Sequence, residues 1–332
     1  MMSEDIEKII DEFSTYVVHD CGKTYLFLID GKASIKQPLY HYTTMDAFLN
    51  IMNKREFWVS NIRYMNDSKE FENGREICKL LINERIQNST EEEKEFLSKL
   101  QDSCQLDSSG GLRNINANDI FSLSFCKEGD LLTQWQVYGK NGISIGFNND
   151  MSFLNGICLM NEDQYSSETE THEYPHAETR LGTGFNVIYN DDKKKYVINK
   201  VLDTGINRLK LLEKVGGLEV VNEISDELFS IFPYMKEYCF SHENEYRLLF
   251  KEPVSKKWIH YRIRNGVIVP YIKMKILDLN CREHTKLPIG DIVIAPGVNN
   301  TYVADSVKYF LEKSGYEYLV DKVRTSKIPY RA

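Results

Sequence analysis

The stretch WIHYRIRNGVIVPYI, Trp258 to Ile272, decides how the chain is read. Asn265-Gly266 is the dipeptide a two-residue hairpin turn demands, because both central positions of that turn need positive φ. Its flanks are rich in β-branched and aromatic residues and predict antiparallel strands over 258–264 and 267–272. Just upstream, YCFSHENEYRLLF (238–250) ends in a third strand at 245–250, so the three form a meander. Alternation along that strand sets Glu243, Glu245 and Arg247 on one side and Tyr246, Leu248 and Phe250 on the other.

Working outward, the same signals organise the rest. Residues 1–37 form an extension, with an amphipathic helix at 4–13 and a strand at 24–29 before Asp30-Gly31. Pro38 opens a single α+β domain reaching to 331. Within it, LYHYT is a short strand, Thr43 or Thr44 caps a helix over 45–54, and EFWVS (56–60) is a second strand. Asn66-Asp67-Ser68 caps a helix running to 86, and Ser89-Thr90 before three glutamates starts another. DIFSLSF (119–125) alternates, placing Ile120, Ser122 and Ser124 opposite Phe121, Leu123 and Phe125. A helix at 131–138 and a strand at 142–147 follow. Residues 161–184 are a polar loop, and 191–214 with 218–236 form a helical insertion. A strand at 291–295 and a helix at 302–314 complete the chain. Strands mixed with helices and joined by a hairpin predict an α+β fold with mixed, mainly antiparallel sheets.

The chain has 332 residues, 42% hydrophobic and 27% charged, with a formal net charge of -8. That composition fits a folded protein and disfavours broad adhesion to nucleic acid or anionic lipid. The acidic N-terminus and the lack of a long apolar run predict a cytoplasmic protein without a membrane span. The seven cysteines are scattered and include no CxxC pair, so they predict neither a disulfide framework nor a zinc ribbon. His172-Glu173-Tyr174-Pro175-His176 spells HExxH, yet Pro175 would break the helical turn that must align both histidines. No P-loop, GxGxxG or GxSxG sequence is present.

Separated polar residues remain. Alone, His41 reads as a hydrogen-bonded structural histidine, Ser122 and Ser124 as strand residues, and Glu243 and Glu245 as the wet side of a strand. Taken together, LYHYTTMDAFLNIM, EFWVSNIRYMNDSKEFENG, FSLSF, LLTQWQVYG, GISIGF, HENEYRLLF and SKIPYR resemble a bacterial family named only as domain-of-unknown-function family 2971, over residues 38–331. More distantly, LYHYT followed by a helix and a strand is similar to the opening of ADP-ribosyltransferases of the poly-ADP-ribose polymerase and toxin type. His41, then Ser122 or Ser124, then Glu245 follow the order of that group's site residues. The resemblance implies sheets around a cleft that binds NAD as substrate, without a metal. Nicotinamide would be released and ADP-ribose transferred to a macromolecule or to water.

The oxocarbenium-like transition state of that reaction calls for a carboxylate. The resemblance gives Glu245 this role and lets Glu243 orient the acceptor. It sets His41 on the nicotinamide ribose, a serine of FSLSF on Glu245, and Tyr42 or Tyr138 on the nicotinamide ring. Thr43 and Arg247 complete the implied NAD-binding set; if Arg247 instead neutralises Glu245 in a structural ion pair, that counts against catalysis. Asn66, Asp67 and Glu70 form a second polar cluster, as caps or as part of the same cleft. A toxin or phage-defence role, with an antitoxin or regulatory partner, is a further implication. Two other readings stay open: a non-catalytic nucleotide or nucleic-acid binding module using Lys322, Arg324, Lys327 and Arg331 on phosphates, and a magnesium-dependent nuclease using Asp67, Glu70, Glu243 and Glu245.

Overall fold

The computed structural model describes residues 13–20, 23–30, 38–65, 70–104, 120–147, 157–159, 178–179, 183–211, 217–250, 259–264, 266–276, 287–297 and 300–329. Its elements in chain order are β1 (Phe13–Asp20), β2 (Lys23–Asp30), β3 (Leu39–Thr43), α1 (Met45–Lys54), β4 (Glu56–Asn61), α2 (Glu70–Ile86), α3 (Glu91–Ser103) and β5 (Phe121–Cys126). There follow α4 (Leu132–Val137), β6 (Ile143–Phe147), β7 (Ile157–Leu159), β8 (Glu178–Thr179), β9 (Thr183–Asn186), α5 (Asp191–Leu211), α6 (Gly217–Ile231) and β10 (Glu245–Phe250). The last are β11 (His260–Arg264), β12 (Val267–Ile276), β13 (Ile289–Ile294), α7 (Asn300–Lys313) and β14 (Val323–Thr325). Helices and a mostly antiparallel sheet make this an α+β protein.

The expected helix at 4–13 falls outside the described residues apart from Phe13, which opens β1. That strand was not read from the sequence; it pairs antiparallel with β2 from Phe13↔Asp30 to Asp20↔Lys23. The caps Asn66, Asp67 and Ser68, the HExxH stretch and most of the polar loop at 161–184 also lie outside the described residues. Within the described ones, no helix is long and apolar enough to cross a membrane.

The chain divides into two compact units. One comprises Met1–Ala33, Ile62–Ile120 and Phe185–Ser241, and its described part past residue 61 is helical, built on α2, α3, α5 and α6. The expected insertion at 191–236 lies in this unit, and residues 38–331 divide between both. Thr90 starts α3 with a full capping box, its hydroxyl on the Glu93 N–H and the Glu93 carboxylate on the Thr90 N–H. Ile82, Leu97, Ile198, Leu202, Ile224 and Leu228 meet in its core. Arg85 ties α2 to α5 through Asn199 and Asp203.

The other unit comprises Ser34–Asn61, Phe121–Gly184 and His242–Ala332 and holds most of the sheet. Its strands run in the order β14-β13-β6-β3-β5-β4-β12-β7-β8, with β10 on the second edge of β5 and β11 on β12. β11 and β12 pair up to Arg264↔Val267, as the expected hairpin requires, and Gly266 takes φ 77°; β10 does not join them in a meander but pairs with β5 and β9. Thr44 caps α1 by accepting from the Ala47 N–H. One side of the sheet is apolar: Phe57, Val59, Leu123, Phe125, Leu248 and Ile272 pack with Phe48 of α1 and Leu311 of α7. Each such buried side chain contributes about 1.5–3 kcal/mol. Gly142 leads into β6 where the Thr43 carbonyl oxygen takes the space of a Cβ, so no larger residue fits.

The sheet forks at β5. β10 pairs along the whole of one edge of that strand, from Glu245↔Cys126 to Phe250↔Phe121. The other edge is shared, β3 meeting it at Tyr40↔Cys126 and β4 at Ser60↔Ser122 and Asn61↔Phe121. Because both are antiparallel to β5 at different ends, β3 and β4 part company between those contacts.

Candidate functional site

Strand alternation gives the sheet's second side a different chemistry. Residues opposite one another across an antiparallel pair share a side, so Glu245 lies with Cys126, Arg247 with Ser124, and Ser122 with Ser60. Continuing across the sheet, Ser60 lies with Tyr271, and Tyr271 with His260. Alternation adds Trp58 and Arg262 to this side. The result is a polar and aromatic surface behind an apolar one.

Glu245 and Arg247 form a bidentate ion pair. Arg247 Nε donates to Glu245 Oε1 at 2.8 Å and its Nη2 to Oε2 at 2.9 Å. Arg247 is 0% exposed and Glu245 6%. The i, i+2 spacing on one strand puts both side chains on one side, and the planar guanidinium matches both carboxylate oxygens. Of the two possibilities that the sequence left open, the ion pair is the one present.

Ser124 lies opposite Arg247 and Ser122 opposite Leu249 on the same side, and among the described residues neither hydroxyl oxygen has a hydrogen-bond partner. An unsatisfied buried hydroxyl costs about 1–3 kcal/mol. Burial pushes the Cys126 thiol up to about 12 and so disfavours its thiolate, and the charges of Glu128, Glu245 and Glu243 add to this, against a bond from the Glu128 N–H. Glu243 is buried too, and its carbonyl accepts from Gln134 Nε2 at 3.2 Å.

His41 leaves the opposite side. Its neighbours Tyr40 and Tyr42 pack with Cys126, whereas its ring lies edge-on to Phe57 and Phe125 at centroid distances of 5.4 and 5.9 Å. Nδ1 donates to the Ser124 carbonyl at 3.1 Å, which fixes the tautomer and leaves Nε2 as the acceptor. Burial pushes its pKa down to about 4; the carbonyl bond opposes this and the Arg262 charge reinforces it. His41 is therefore a neutral side chain set into the fork, and the structure does not bring it to Glu245's side.

Tyr42 is held in the wall of the strand, its hydroxyl donating to the Glu128 carbonyl at 2.8 Å and accepting from the Leu131 N–H at 2.9 Å. Its ring packs on Trp135, with burial raising its pKa. Thr43 is buried in β3, and Tyr138 closes α4 half-buried against the Tyr42 and Trp135 cluster. Asn66 and Asp67 lie outside the described residues, and Glu70 is the first residue of α2. In the C-terminal tail, Arg324 binds Asp291 and the Lys327 N–H donates to Asp130. Among the described residues, no group of three or more His, Cys, Asp or Glu side chains is arranged to hold a metal.

Arg262 was not singled out from the sequence. Its Nη2 donates to Ser60 Oγ at 2.6 Å, and its guanidinium lies 5.7 Å from the ring centroids of both Trp58 and Tyr271. Those rings stack at 4.5 Å, and Trp58 is fixed by its Nε1 donating to Glu56.

A family profile described as Protein of unknown function (DUF2971) matches residues 134–248. The match begins in α4 and ends within β10, so it contains Glu243, Glu245 and Arg247 and leaves out His41 and Arg262. No curated protein and no solved structure matches the chain.

Proposed function

We propose that the sheet unit is an ADP-ribosyltransferase-like enzyme that takes NAD on the polar side of β5 and β10 and releases nicotinamide. The observation that supports this most is the buried, unpartnered hydroxyls of Ser122 and Ser124 on the side of the sheet that carries Glu245. A fold has no packing reason to leave two buried hydroxyls unsatisfied next to a fixed charge pair, whereas a ribose brings the donors and acceptors they lack.

The bond between nicotinamide N1 and the ribose C1′ breaks with its electron pair leaving on nitrogen. The positive charge that develops on the sugar faces the Glu245 carboxylate, and the acceptor or water adds at C1′ and loses its proton. Arg247 fixes the direction of the Glu245 carboxylate, at the cost of sharing its charge. His41 supports the fork in this scheme and does not hold the ribose beside Glu245. The acceptor is a macromolecule or water. A cytoplasmic toxin or defence role with a regulatory partner belongs to the same proposal.

A second reading, non-catalytic nucleotide binding, is favoured by Glu245 having both oxygens on Arg247. Incubation with NAD and chromatography for free nicotinamide separates the two. The enzyme reading expects release by the wild type and a loss of about 100-fold or more in Glu245→Gln. NAD bound by calorimetry without nicotinamide release favours the binding module, and neither binding nor release removes both.

A further inference from the structure

We infer that Arg262, with Ser60 and the Trp58–Tyr271 stack, forms a binding site for a phosphate group, centred on a different arginine from the Glu245–Arg247 pair and bordering it at Ser122. A guanidinium stays ionised at any physiological pH, and each of its donors that is taken out of water calls for an acceptor in its place. Arg262 makes one hydrogen bond, to the Ser60 hydroxyl, and no carboxylate among the described residues pairs with it. Its Nε is buried and has no partner. Burial pushes its pKa down and the neighbouring charge of Arg264 adds to this, against an opposing contribution from Tyr271.

The local construction holds the side chain in place without satisfying it. Arg262 stands on β11, and from there it reaches across β12 to Ser60 of β4. Tyr271 and Trp58 form the floor beneath it, so its direction is fixed by cation–π contact before any ligand arrives. Ser122, opposite Ser60 on β5, carries a hydroxyl without a partner on the same side. A preset guanidinium edge with an adjacent hydroxyl suits a tetrahedral oxyanion that accepts several hydrogen bonds, which is a phosphate ester better than a chloride or a single carboxylate. The indole of Trp58, 36% exposed, adjoins the charge and gives a fluorescence reporter.

Phosphate reaches a protein from small nucleotides or from nucleic acid, and the test distinguishes these sources. Calorimetry and Trp fluorescence are recorded with ADP, inorganic pyrophosphate, a short single-stranded oligonucleotide and adenosine. The wild type is expected to bind at least one phosphate-bearing probe, to ignore adenosine, and to lose about tenfold or more in affinity as Arg262→Gln. Arg262→Lys, which keeps the charge but lacks the Nε donor, should fall between, and it serves if the glutamine variant does not fold. Tyr261→Ala, exposed on the opposite side of the same strand, is the control and should bind like the wild type. Preference for ADP or for the oligonucleotide names the source of the phosphate. Binding of every phosphate probe unchanged in both Arg262 variants, no binding of any probe by the wild type, or adenosine bound as tightly as ADP overturns the inference. None of these readouts uses nicotinamide release, so the transferase reading can fail while this one stands, and the reverse.

Discussion

Arg247 and Arg262 stand on the same side of one sheet and are opposites in every other respect. Arg247 is wholly buried and has both guanidinium contacts with Glu245 matched at 2.8 and 2.9 Å. Arg262 is only partly enclosed, rests on two rings, and keeps a buried Nε without a partner. The difference teaches that a buried charge on a sheet is not a functional signal by itself. What matters is whether its hydrogen-bonding capacity is complete within the protein. By that measure Arg247 is an organising charge, and Arg262 is a ligand contact.

The comparison breaks first at the pair. Arg247→Gln leaves the Glu245 carboxylate buried without its guanidinium, and denaturant unfolding should show a loss of about 3–5 kcal/mol. A loss below about 1 kcal/mol would mean that the pair is not an organising element.

The fork gives the next largest effect. His41 has a folded pKa of about 4 against an ordinary value of 6.5, so the unfolded chain binds the proton more readily. The stability this group contributes is complete above about pH 6.5 and is lost as pH falls toward 4, by at most about 3 kcal/mol. Glu227 in the helical unit acts in the opposite sense. Burial raises its carboxyl to about 7, only partly offset by Arg208, so it gains stability as pH falls from 7 toward its ordinary range. The wild-type profile is therefore the sum of opposing slopes, and the difference between wild type and His41→Gln isolates the histidine. An identical pH dependence in both would show that His41 is not held neutral.

Ser122→Ala makes the finest distinction. A hydroxyl that serves only the fold loses stability when removed, but one without a partner does not. Thermal unfolding should be unchanged or slightly raised, by about 0–1 kcal/mol, while phosphate or NAD binding weakens. A destabilised variant would mean that the hydroxyl has a structural partner.

Much of this was legible in the sequence because it depends on short-range pattern. Asn265-Gly266 gave the hairpin, Thr44 the start of α1, Ser89-Thr90 with its glutamates the start of α3, and the alternation of FSLSF and EYRLLF the two sides of the sheet. Strand β1 escaped because FSTYVVHD follows an amphipathic run that reads as helix to its last residue. The site was less legible. An i, i+2 spacing of Glu245 and Arg247 is equally compatible with a shared substrate and with mutual pairing, and side-chain conformation alone decides. Placing His41 opposite Glu245 needed the register of β3 on β5, which no local signal carries. Arg262 looked like one charge of a strand, since its partner Ser60 is 202 residues away in the chain. The only hint was His260, Arg262 and Arg264 repeating on one side of HYRIR.

The most direct test of the contrast is thermal unfolding of wild type, Arg247→Gln and Arg262→Gln, each with and without inorganic pyrophosphate. The account predicts that Arg247→Gln lowers the midpoint by about 6 °C or more. It predicts that Arg262→Gln unfolds within about 2 °C of the wild type but loses the rise that pyrophosphate gives the wild type. Equal losses from both substitutions, with no pyrophosphate effect on the wild type, would contradict it.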